Sequence, residues 1–375
     1  MSVFNEAIRN FLSPINSFLD DEKVTEVMIN GPKEIFIEKE GILIKTPAKF
    51  RDEDDLRSAV RAIAQSVGRM IDQDHPYLDA HMIDGSRVAV IIPPLSKAGT
   101  TVTIRKFSQK KLGLKDLIER NSLSKEAARF LDICVYLGKN ILVSGGTGSG
   151  KTTMLNVLGQ RIPSTQRLIT IEDSLELQIE ANHVVSLVSR KADPAKNLSA
   201  VTIRDLVHSA MRMRPDRLVV GEVRGDEALD LVQVMNTGHH GSMGTIHANN
   251  PKDACIRLEM LCLLGDTKIP PQLMRLMISS AVQVIVHCER LPDGQRRTIS
   301  ISELCGLDVA QNYQVKDIFR FVQKNRDSQT GRIEGEIVPC DYIPSFFEEI
   351  KVNKLPFPRE NFQGPAWVSA LKKSA

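Results

Sequence analysis

The chain has 375 residues, enough for two domains, and its 42% hydrophobic and 25% charged residues are those of an ordinary globular protein. A formal net charge of +3, spread along the chain rather than blocked, excludes a dedicated polyanion-binding tail. No apolar run approaches the ~18 residues of a membrane-spanning helix, and Glu6 and Arg9 interrupt the place where a signal-peptide core would lie. The six cysteines (Cys134, Cys255, Cys262, Cys288, Cys305 and Cys340) never form C-x-x-C and read as small buried hydrophobes of a reducing, cytosolic compartment.

Residues 1–20 carry Phe4, Ile8, Phe11, Leu12, Ile15, Phe18 and Leu19 at helical spacing, interrupted by Pro14. The segment lacks a basic face, so it is expected to dock on its own domain or on a partner rather than on a membrane surface. Residues 21–107 turn to short strands at 26–30, 34–38 and 42–45, with Asn30-Gly31-Pro32 and Glu40-Gly41 as turns. An amphipathic helix over 52–67 and strands at 86–92 and 100–107 complete a small α+β N-terminal domain. A polar, lysine-rich stretch at 108–125 is the expected linker. Between 126 and 310, strands at 141–143, 168–171, 218–220, 242–246 and 283–286 alternate with helical segments. That pattern predicts an α/β domain whose mostly parallel sheet carries helices on both faces. Residues 311–375 read as a C-terminal tail subdomain with the aromatic runs Ile318-Phe319-Arg320-Phe321 and Phe346-Phe347.

A phosphate-binding loop stands at the start of the second domain. Gly145, Gly146, Thr147, Gly148, Ser149, Gly150, Lys151, Thr152 and Thr153 satisfy G-x-x-x-x-G-K-[ST], with an apolar strand before and a helical stretch after. The glycines let successive N–H groups curl inward toward phosphate oxygens, and the following helix adds its positive dipole end. Lys151 would reach the β- and γ-phosphates of ATP, and the Thr152 hydroxyl would hold Mg²⁺.

Four further stations accompany the loop. A strand ends in Glu172 and Asp173, where α/β sheets present ligand-binding groups. A second strand reaches Gly221-Glu222, where the usual Walker B aspartate is replaced by glycine. Glu222 must then hold the Mg²⁺ shell, through water or directly, orient the attacking water, or both. The run from Gly238 through His239, His240 and His247 to Asn249 offers a histidine to the γ-phosphate, whereas His183, His208 and His287 read as structural. Before the loop, Asp84-Gly85-Ser86-Arg87 and Val102-Thr103-Ile104-Arg105 offer arginines that would stabilise phosphoryl charge across an interface.

In this order the stations resemble the ATPase superfamily of type II and type IV secretion and type IV pilus systems, with its Walker A loop, Asp box, glutamate Walker B and His box. Ile92-Pro93-Pro94-Leu95, Thr103-Ile104-Arg105-Lys106-Phe107, Thr202-Ile203-Arg204-Asp205-Leu206 and Arg212-Met213-Arg214-Pro215-Asp216 extend the likeness to the CpaF-type branch of tight-adherence (Flp) pili. The resemblance implies a RecA-like ATPase domain after the N-terminal domain, a homohexameric ring, and ATP held between the two domains. In it Glu172 and Glu222 are the catalytic carboxylates, with the choice of base open. Arg87 and Arg105 come to the phosphates, and His239 and His247, but not His240, match the His box. It further implies a cytoplasmic motor, peripheral at the inner membrane through its pilus or secretion platform partners. The four-cysteine zinc subdomain of the type II branch is absent, and only about twenty residues precede the first strand. Two other readings compete. A nucleic-acid motor would need stacking aromatics on a basic channel, and one Trp and four Tyr argue against it, so no nucleic acid is expected. A non-hydrolysing, nucleotide-gated scaffold is disfavoured by intact Lys151, Glu172 and Glu222.

Overall fold

The computed structural model describes residues 8–82, 84–107, 112–192, 198–265 and 268–368. The chain divides into two compact units, residues 1–111 and 112–375.

In the first unit, six antiparallel strands form one sheet: β1 (Val24–Asn30), β2 (Ile35–Lys39), β3 (Ile42–Lys45), β4 (Tyr77–His81), β5 (Arg87–Ile91) and β6 (Thr101–Arg105), in the order β3-β2-β1-β6-β5-β4. Period-2 alternation turns Val27, Ile29, Val88, Val90, Val102 and Ile104 to one face. Helix α2 (Glu53–Ser66), which follows the short α1 (Asn16–Asp20), covers that face with Leu56, Ala59, Val60 and Ile63. Asp52 caps α2 by accepting from the Asp55 N–H at 2.9 Å. The N-terminal segment adds Ile8, Leu12 and Ile15 to the same core, and a 3-10 turn at Ser13–Ile15 accommodates Pro14. Strand β4 was not anticipated, because its outward residues include a largely exposed Tyr77 and its length is only five residues.

The second unit opens with α3 (Leu114–Glu119) and α4 (Lys125–Tyr136), so the stretch expected as linker contains a helix and its described part, from residue 112 on, belongs to this unit; residues 108–111 lie outside the described residues. Nine strands build its sheet. Six run parallel, in the order β12 (Val284–Arg290), β7 (Ile141–Gly145), β11 (Met243–His247), β10 (Arg217–Val220), β8 (Leu168–Glu172) and β9 (Val184–Val188). Strands β13 (Arg296–Leu307), β14 (Tyr313–Arg326) and β15 (Ile333–Pro339) extend it in antiparallel fashion beyond β12. The first part of the tail expected from residue 311 onward, through β15, therefore joins the sheet. Its strands carry polar residues on the outward face, and their apolar face packs into the main core.

Helices cover both faces. On one side lie α4 and α5 (Lys151–Gly159), with Phe130 at the centre of a ring cluster that includes Phe319 at 5.5 Å, Phe357 at 5.8 Å and Phe362 at 5.8 Å between centroids. On the other lie α6 (Ile203–Ala210), α7 (Glu227–Asn236), α8 (Pro251–Leu264) and α9 (Pro271–Ala281). A short α10 (Phe347–Val352) closes the aromatic side. Cys134, Cys255, Cys262 and Cys288 are buried within these cores, and all six cysteines are free.

Candidate nucleotide-hydrolysis site

The parallel strands end together, and their C-terminal edge gathers the polar stations. Register places His247 beside Gly145 on β7, and Val220, just before Gly221-Glu222, beside Ile171, just before Glu172. An all-buried β7 delivers the loop, and α5 begins directly at Lys151. Gly150 caps that helix at φ +97°, a left-handed conformation that a side chain would resist. Lys151 is buried and donates from Nζ to the Gly146 carbonyl at 2.8 Å, with His247 Nε2 at 3.5 Å. The Ser149 hydroxyl is buried with no partner and lies 2.6 Å from where a Cβ on Gly145 would stand. Thr152 donates its hydroxyl to Glu176 Oε2 at 3.2 Å.

Two carboxylates face this loop from neighbouring strands, in opposite electrostatic states. Glu172, at the buried end of β8, accepts the N–H groups of Glu176 (3.1 Å) and Leu177 (2.9 Å) through Oε1, while Oε2 has no partner. Burial pushes its carboxyl up to about 7, the two N–H groups oppose the shift, and the nearby Glu176 adds to it. Gly221 lies against it: a Cβ there would stand 2.8 Å from Glu172 Cγ, so the Walker B position has room for the neighbouring carboxylate only without a side chain of its own. Glu222 is held differently. Burial alone would raise it, but the Arg224 hydrogen bond and charge, with His247 and Lys151, outweigh that and hold it below the ordinary carboxylate range. Arg224 pairs with Glu222 and reaches Asp173 at 3.6 Å, and His247 Nε2 lies 2.9 Å from Glu222 Oε1. Burial first, then the Lys151 cation, push the His247 imidazole below its ordinary value, so it is neutral at pH 7.

Not every expected residue joins the cluster. His239 precedes β11, whereas His247 ends it, so the two stand at opposite edges of the sheet, roughly 13 Å of strand apart. The nucleotide-contact role expected for His239 is not supported by that placement. Its carbonyl instead accepts the Ser242 hydroxyl at 2.8 Å in the turn that enters β11. His287 is buried, with Nδ1 2.9 Å from Ser144 Oγ, as its structural reading expects. Arg87 and Arg105 belong to the first unit, where they are paired in register across β5 and β6. Arg87 forms a two-pronged contact with Asp79 at 3.2 Å on each arm, and Arg105 approaches Glu26 at 3.9 Å.

Sequence reasoning missed Glu176 and Arg224. Each lies two to four residues past a flagged carboxylate, and a local acid or base in a turn carries no signal until the fold brings it back to the loop.

Comparison with known proteins agrees with this geometry. The family model described as type II/IV secretion system protein matches residues 10–325. A putative conjugal transfer protein of Mycobacterium tuberculosis is 33% identical over 296 residues, 77% of this chain and 83% of that one. The type IV secretion system protein VirB11 of Brucella suis is 35% identical over 317 residues, 77% of this chain and 88% of its own. Among solved structures, the pilus retraction motor PilT with bound ADP superposes at a TM-score of 0.52 and 18% identity over 98% of this chain and 89% of that one, a likeness of fold alone. Loop, paired carboxylates, histidine and relatives together place the chain: it belongs to the type II/IV secretion system protein family and is an ATPase with a RecA-like domain.

Proposed function

We propose that the protein is the ATP-hydrolysing motor of a type IV (tight-adherence) pilus or secretion system. It works as a homohexamer in the cytoplasm, peripheral at the inner membrane through its partners, and moves a membrane platform that assembles pilin. Among the described residues, no helix is long and apolar enough to cross a membrane, which agrees with attachment through partners. The observation that carries the reading is the convergence of Lys151, Glu172, Glu222 and His247 on one edge of the sheet.

In this reading the N–H groups of residues 146–151 and the Lys151 ammonium bind the β- and γ-phosphates. Glu172, with its ionisation near neutrality and an unpartnered oxygen, accepts the proton of the attacking water, because a base is most effective when its pKa lies near the working pH. Glu222 stays ionised and, linked to His247, orients water and senses the γ-phosphate. Arg87 and Arg105 supply positive charge to the phosphates when the ring closes. Mg²⁺ takes few protein ligands at such loops, keeping phosphate and water oxygens for the rest. The Thr152 hydroxyl beside Glu176, with Glu172 and Glu222 nearby, fits that demand. When bound, the ion would neutralise charge on the phosphate oxygens.

The test is ATP turnover measured together with particle mass, for the wild type, Lys151→Ala and Glu222→Gln, with and without DNA. Mg²⁺-dependent hydrolysis by a six-subunit species, lost in both variants and indifferent to DNA, is the expected result. Strong DNA stimulation would replace the platform motor by a nucleic-acid motor, and nucleotide binding without turnover would point to a scaffold.

A further inference from the structure

The end of β12 and the start of β13 each bring an arginine to the phosphate loop. Arg296 donates from Nε to the Gly148 carbonyl at 2.8 Å, and Arg290 Nη1 lies 3.9 Å from where a Cβ on Gly148 would stand. The backbone that holds Arg296 is itself fixed. Ser122 Oγ donates to the Arg296 carbonyl at 2.7 Å, and the adjacent buried Arg297 donates to the carbonyls of Asn121 (2.7 Å) and Gly335 (3.4 Å).

A trans peptide unit is planar, so its C=O and N–H point in opposite directions. Anchoring the Gly148 carbonyl outward therefore turns the Ser149 N–H inward. There it donates to the Gly146 carbonyl at 3.4 Å, and the same oxygen accepts Lys151 Nζ at 2.8 Å. Two donors thus converge on one oxygen position, which is the arrangement a phosphate oxygen requires. Gly148 adopts φ +70° and has no Cβ to restrict it, so within the loop this peptide is held mainly by the long 3.4 Å bond from Ser149 N–H to the Gly146 carbonyl. An external donor supplies the restriction.

We propose that Arg296 is a positioning residue of the phosphate loop: it locks the Gly148–Ser149 peptide with its N–H toward the phosphates, so that the nucleotide meets a preformed cradle. This rests on the ATP-hydrolysis reading above. The test uses full-length wild type, Arg296→Ala and Arg296→Lys, titrated with ADP and assayed for ATP turnover and thermal stability. Arg296→Ala is expected to raise the Kd for ADP and the KM for ATP together, by about tenfold, with kcat within about twofold. Arg296→Lys recovers most of that loss, since an ammonium can serve a single carbonyl. Equal weakening of ADP and ATP separates loop positioning from direct contact with the γ-phosphate, which would weaken ATP alone. Unchanged ADP affinity in Arg296→Ala at wild-type melting temperature overturns the proposal, as does a loss confined to kcat or to ATP. Should Arg296→Ala fail to fold, Arg296→Met, which keeps the aliphatic stem but has no hydrogen-bond donor for the Gly148 carbonyl, gives the same readout. A wild type that does not bind ADP sinks the underlying hydrolysis reading instead, and does so before any variant is compared.

Discussion

Gly221 and Glu172 share one volume: a Cβ on the glycine would come within 2.8 Å of Glu172 Cγ and 3.2 Å of its Oε1. The missing Walker B aspartate is therefore a consequence of packing. The buried carboxylate of β8 fills the space that a side chain at the end of the next strand would take, and Glu222 is the acid that follows one residue on.

Gly221→Ala should therefore act on Glu172 rather than on nucleotide binding. Backbone at the end of a buried strand cannot yield easily, so the glutamate must swing away from its two N–H donors. A shift of about 1 Å at a reacting group costs on the order of 100-fold in rate. We expect kcat to fall by about that factor while ADP affinity holds within about threefold, measured by steady-state turnover and ADP titration. A rate close to wild type would show that Glu172 is not placed for the chemistry.

The raised ionisation of Glu172 also has a sign in stability. Between its ordinary 4.5 and about 7, the folded protein keeps a proton that the unfolded chain has lost, so stability declines as pH rises through that window. Above 7 the carboxylate is charged and buried, a cost on the order of 3 kcal/mol. Glu172→Gln removes it. The variant should be more stable than wild type by roughly that amount at pH 8, and by little at pH 5, as read from urea midpoints. A variant less stable than wild type at pH 8 would contradict the burial argument. Turnover by the wild type should rise along an acid limb with a midpoint near 7.

What was legible in the sequence follows from what each element owes to its neighbours in the chain. Strand β7 and its loop were readable because an apolar run, a glycine pattern and a helix start lie in sequence order, and Glu172 and Glu222 because each ends such a run. The first unit's alternating strands other than β4 were readable for the same reason. Strands β9, β14 and β15 were not: partly exposed residues such as Val188, or long polar stretches such as Lys324–Arg326, give no clear period until the sheet exists to receive them. Arg296 and Glu176 reach the site only through tertiary contact. Motif proximity of His239 to His247 says nothing about which end of a strand each occupies.

Histidine substitutions separate these two positions. His247→Ala removes a group in contact with both Glu222 and Lys151, and should lower kcat by about 100-fold, the usual scale for a positioned polar group at developing charge. His239→Ala should leave ADP affinity and the isolated protein's turnover within about twofold. Equal losses in the two variants would reassign His239 to the reaction.

Asn140 ties together the opposite edge of the sheet. It is fully buried just before β7, and its amide uses both ends: Nδ2 donates to the carbonyls of Met235 (3.1 Å) and Ala281 (2.7 Å), and Oδ1 accepts the N–H groups of Gly241 (2.8 Å) and Ser242 (3.0 Å). One side chain thus closes the ends of α7 and α9 and the turn into β11. Asn140→Ala leaves the Met235 carbonyl and the N–H groups of Gly241 and Ser242 buried without this partner, while the Ala281 carbonyl keeps Gln283 Nε2 at 3.2 Å. At ~1–3 kcal/mol for each such group, offset by local relaxation, the loss should be at least about 3 kcal/mol in urea denaturation. Asn140→Asp keeps the acceptor for Gly241 and Ser242 but turns its second oxygen against two carbonyls. It should therefore be no better than alanine at neutral pH and should recover stability as the carboxylate is protonated. A loss under about 1 kcal/mol in both variants would mean that water enters to satisfy the strand end, and that this edge of the sheet is more open than its packing indicates.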